Sequence, residues 1–144
     1  MTIANKLDSF AESLSTMILA IIIIIGFIGF MFFNVWLGIL FAETGYPGTL
    51  FESQYRFSGP ALKSDFSVLI SNGTLNDYIL IQYLDIGIMV FTAVCFFFLT
   101  LAIAKKIKPD SSWRKRGFMS ALLFPLSSLL DGIENIVLLT MLAN

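Results

Sequence analysis

The chain has 144 residues, of which 57% are hydrophobic and 13% charged, with a formal net charge of -1. A soluble domain averages roughly 25% charged residues, and a fold of this length has too little interior to hide fifteen Phe and a mean hydropathy of +0.85, so lipid is the expected solvent. The charge balance supplies no basic field for nucleic acid, and the absence of His removes Ser-His-Asp triads, Cys-His pairs and His-ligated metals. Cys95, the single cysteine, sits in an apolar run and reads as a small filler in a helix.

Met17 to Phe41 is 25 residues without a charge, long enough to span a bilayer with some tilt. A signal peptide would have a shorter apolar core after a basic start. Here Asp8 and Glu12 precede the run beside Lys6, so an uncleaved spanning helix over about 15–41 is expected.

Residues 42–76 form the main loop. Gly45, Pro47, Gly48, Gly59 and Pro60 break it into turns. Ser58-Gly59-Pro60 opens a helix with proline in the first turn, and Asn72-Gly73 closes it. Leu62, Phe66, Leu69 and Ile70 are expected on its apolar face, so this helix either lies flat at the membrane interface or packs over the mouth of the bundle.

The second span covers about 77–105, with a start near Leu75 if Thr74 to Asp77 forms a capping box. The third covers about 117–143, with a kink expected at Pro125, which cannot donate to the Ala121 carbonyl. The loop 105–116 holds Lys105, Lys106, Lys108, Arg114, Lys115 and Arg116, six of the nine basic residues. Basic residues favour the cytoplasmic side and attract anionic headgroups. Three spans then place the N-terminus inside, with the long loop and the C-terminus outside. Trp113, beside Arg114, suits the cytoplasmic interface. The fold expected is an all-α membrane bundle of three transmembrane helices plus a short amphipathic interfacial helix.

Asp85, Asp131 and Glu134 lie inside apolar spans that contain no Lys or Arg. A charge at mid-bilayer costs at least about 2.5–3.5 kcal/mol. Asp131, Glu134 and Asn135 share one helix face, with Ser127 and Ser128 a turn earlier. Tyr78, Gln82, Asp85, Met89 and Thr92 alternate four and three apart, so they form a second stripe. Counted along each helix from its cytoplasmic end, Asn34, Asp85, Asp131 and Glu134 all lie about 22–30 Å in. A polar intramembrane cluster of Asn34, Asp85, Asp131, Glu134 and Asn135 is therefore expected. It is either interhelical hydrogen-bonding glue, a site for a cation, a proton or a polar lipid head, or a set of acids paired with Arg56, Lys63 or a partner subunit.

The order of these features resembles a group of small bacterial membrane proteins. It carries Tyr83-Leu84-Asp85 in one helix, a basic loop, and Asp131-Gly132-Ile133-Glu134-Asn135 in the last. The group has no known activity, so the resemblance implies none. The residues leave two functional classes. The first is a non-catalytic subunit or assembly factor of a larger membrane complex. The second is a homo-oligomeric transporter, ion or proton path, or membrane enzyme using the carboxylates. The expected partners are the lipid bilayer and other membrane subunits or copies of the chain. The sequence specifies no catalytic residue, metal or cofactor.

Overall fold

The computed structural model describes residues 2–54, 58–109 and 111–142. It is helical, with no strand among them. Three helices are long and apolar enough to cross a membrane. They are α2 (Thr16–Glu43), α5 (Leu75–Lys105), and a third span made of α6 (Ser112–Ala121) followed by α7 (Leu123–Leu142). The remaining helices are α1 (Ile3–Ser13), α3 (Leu50–Gln54) and α4 (Gly59–Asn72).

The helix α1 is not expected from the sequence. Thr2 caps it by accepting from the Asn5 N–H, and Ala4 and Ala11, two turns apart, bury the inner side. It ends at Leu14, and Ser15 then caps α2 through the Ile18 N–H.

α5 is the central element. It packs along α2 on one side and against α6 and α7 on another, whereas α2 and α7 have no extensive contact with each other. The three spans are arranged with α5 between the other two, and Leu138 and Leu142 of α7 reach the cluster that holds Leu37 and Phe41 of α2. Small residues permit the close approach of α2 to α5. A Cβ on Gly26 would lie 2.9 Å from the Cys95 Cα, and one on Gly29 would overlap the Phe91 ring. Cys95 is thus buried filler opposite a glycine. Phe33 stacks on Phe91, with centroids 5.5 Å apart.

Two buried clusters close the ends of the three spans. At the loop end, Leu37, Phe41, Tyr46, Leu69, Tyr78 and Ile81 pack together. At the basic end, Ala11, Leu101, Ala104, Phe118 and Ala121 do so. Asp65 of α4 accepts from the Tyr46 hydroxyl at 2.8 Å, and Phe66 lies against Tyr78, so α4 packs over the end of α5. Its buried face is displaced from the expected one. Leu69 is buried and Leu62 and Phe66 half-buried, but Ile70 is 63% exposed and Asp65 takes its place. The tyrosine hydrogen bond makes the acid acceptable inside. Gly73 ends α4 with φ 73°, a left-handed conformation that glycine adopts without steric cost.

Three boundaries need correction. α5 begins at Leu75, but not through a capping box. The Thr74 hydroxyl donates to the Thr44 carbonyl at 2.7 Å and makes no bond at the helix start. The reciprocal box forms instead at Thr49 and Glu52, where each side chain accepts from the other's backbone N–H. The helix that carries the third span starts at Ser112, ahead of the apolar run expected from 117, so Trp113 to Arg116 are helical and the connection to α5 is short. The kink at Pro125 is an interruption at Leu122, where the N–H turns to the Met119 carbonyl. It lies just ahead of the proline ring, which clashes with a carbonyl four residues back.

Candidate polar site between α5 and α7

The stripe on α5 and the acid-bearing face of α7 meet. Asn135 Nδ2 donates to Asp85 Oδ2 at 2.8 Å, and Ser128 Oγ donates to the Met89 carbonyl at 3.1 Å. Asn135 is 7% exposed. These bonds fix the register of the two helices over two turns.

Two cavities flank this seam. One, of about 250 Å³, lies toward α3 and α4, where Ser53, Tyr78, Gln82, Asp85, Glu134 and Asn135 supply its polar wall. The other, of about 340 Å³, runs toward the basic end past Thr92, Ser127, Ser128 and Asp131. Asp85, Glu134 and Asn135 line both. The Thr92 hydroxyl is buried without a partner among the described residues. Asp131 and Glu134 are exposed on the rim of the groove, and among the described residues no Lys or Arg lines either cavity. Among the described residues, no group of three His, Cys, Asp or Glu could hold a metal ion.

Four of the five expected cluster members therefore come together. Asn34 does not. It is exposed on α2 and lines neither cavity. The reason is helical phase: α2 turns Gly26, Gly29, Phe33 and Leu37 toward α5, and Asn34 follows Phe33 by about 100° of rotation. Lys63 is exposed and lines neither cavity, and Arg56 lies outside the described residues.

A second polar centre stands at the basic end, and sequence reasoning missed it. Arg114 is only 4% exposed. Its guanidinium donates to Asp8 and Glu12 of α1 and to the carbonyls of Lys105 and Ile107. Lys105 Nζ donates to the Ala11 and Leu14 carbonyls at 3.0 and 2.8 Å, satisfying the end of α1. The hydrogen bond from Arg114 holds the Glu12 carboxyl below its ordinary pKa. The available signal was the spacing of Asp8 and Glu12, four apart on one helix face. In the basic loop, orientation alone seemed to account for Arg114.

The chain is similar to no family model, curated protein or solved structure.

Proposed function

We propose that this chain is a non-catalytic subunit or assembly factor of a membrane complex, and that it receives a partner's transmembrane helix in the groove between α5 and α7. One observation carries the reading. Asp131 and Glu134 are exposed on a membrane-length helix, beside a groove with no basic residue among the described residues that line it. Left against hydrocarbon, such acids are costly. A helix bearing Lys or Arg at that depth would cover the apolar rim and neutralise the acids by charge-assisted hydrogen bonds. The groove is only partly enclosed and its acids are exposed, which supports this. In this reading the basic connection faces the cytoplasm, and α4 lies over the opposite end of the spans near the headgroups.

The alternative is an ion or proton path through a homo-oligomer. The specific support is that the two cavities share the Asp85–Asn135 pair, with the unpartnered Thr92 hydroxyl in line.

Recovery of the tagged chain from membranes in mild detergent separates these readings. The docking role expects a stoichiometric membrane protein with the wild type. That protein should be lost from Asp131→Leu and Glu134→Leu, and retained more weakly by Asp131→Asn. Recovery of the chain alone, or of the same protein with both Leu variants, overturns it.

A further inference from the structure

The cavity near α3 and α4 has a different character from the groove beyond it. Leu50 and Leu62 from the loop helices, Leu37 from α2 and Leu138 and Met141 from α7 make most of its wall apolar. Its polar groups are Ser53 of α3 and Tyr78, Gln82, Asp85, Glu134 and Asn135 of α5 and α7. Gln82 is 8% exposed and faces this cavity, yet its side-chain amide has no hydrogen-bond partner among the described residues. Its amide atoms keep accessible surface in the cavity, so a bound group can hydrogen-bond to them. Asn135 occupies one oxygen of Asp85 and leaves the other unbonded. Glu134 has neither a hydrogen bond nor an ion pair among the described residues.

These groups specify one kind of head. An ammonium has three donors and no acceptor. The free oxygen of Asp85, the Glu134 carboxylate and the Gln82 amide oxygen are three acceptors, two of them anionic. A head of net negative charge and no ammonium would meet like charge, and a hydroxyl would leave the acids uncompensated. The apolar walls suit a hydrocarbon body, and the cavity is only partly enclosed, which leaves such a body a way out. We propose that this cavity binds an amphiphile with an ammonium head and an apolar tail, either a free long-chain amine or an aminophospholipid of the membrane. This inference does not depend on the docking of a partner helix, since the purified chain alone contains every residue it uses.

The test measures thermal unfolding of the purified full chain in two arms. In neutral detergent, dodecylamine is titrated against dodecanol. In nanodiscs, phosphatidylcholine alone is compared with phosphatidylcholine containing phosphatidylethanolamine. A saturable rise in Tm with dodecylamine but not dodecanol assigns a free amine. A rise confined to the phosphatidylethanolamine discs assigns the lipid, and a rise in both arms supports the shared head chemistry. Glu134→Gln, at an exposed position and nearly isosteric, keeps the fold and should weaken the effect at least about tenfold. Gln82→Leu should weaken it as well, and Asn34→Leu, outside the cavity, should not. Absence of a rise in both arms, an equal response to dodecanol, or a full response in Glu134→Gln overturns the proposal.

Discussion

Asn135 and Asp85, fifty residues apart, are joined by a single 2.8 Å hydrogen bond across the α5–α7 seam. The bond is local to the two helices, yet it decides which faces of both spans point inward. Interhelical hydrogen bonds in membrane proteins average about 0.6 kcal/mol and reach about 1.7 kcal/mol. Asn135→Ala is therefore expected to destabilise the chain by about 1 kcal/mol, and Asp85→Ala similarly. A double-mutant cycle in detergent should return a coupling within that range. Full additivity would show that the pair does not set the register.

Packing of α2 on α5 depends on glycine where the backbones come closest. Gly26→Leu should cost about 1–3 kcal/mol by overpacking, because the new side chain would enter at Cys95 Cα. Gly38 has open space around it, so Gly38→Leu should leave Tm unchanged. Equal behaviour of the two variants would contradict the α2–α5 interface.

The grip of Arg114 on α1 is open to proteolysis. Arg114→Ala should release the helix and speed tryptic cleavage at Lys6 by at least about tenfold, since local opening governs such cleavage. Arg114→Lys should restore little, because one ammonium cannot reproduce a fork that serves two acids and two carbonyls. Unchanged cleavage in Arg114→Ala would remove the latch from the fold.

Acid should loosen the same latch. The hydrogen bond from Arg114, which outweighs the opposing effect of burial, lowers the Glu12 pKa from its ordinary value of 4.5. The contribution of Glu12 is then fully present above 4.5 and is lost as pH falls through the lower folded value. Hydrogen exchange in α1 should accelerate over that interval in the wild type. In Glu12→Gln it should be fast already at neutral pH and lack this transition.

Much of the fold was legible because membrane spans are written in long apolar runs. α2 and α5 fall within a few residues of their expected limits, and the α4 boundaries follow from Pro60 and Gly73. The polar stripes were legible because periodicity reports which residues share a face. Which faces meet was only partly legible. Asp85 and Asn135 do meet, whereas Asn34 points away, since matching depth says nothing about rotation about the helix axis. The latch was hidden for a related reason. Arg114 carries the same formal charge as its exposed neighbours Lys115 and Arg116, and only the docking of α1 distinguishes it.

Glu12 and Arg114 also impose an order on synthesis. They lie 102 residues apart, so during synthesis α1 waits for a residue just ahead of the apolar part of the third span. At about 5–20 residues per second, that interval is roughly 5–20 s. During it Asp8 and Glu12 lack the guanidinium that pairs with them in the finished fold. Nascent chains arrested before Arg114 should accordingly expose α1 to protease, and chains extended past α7 should protect it. Arg114 follows α5 in the chain, so the latch can close only after the first two spans have been made.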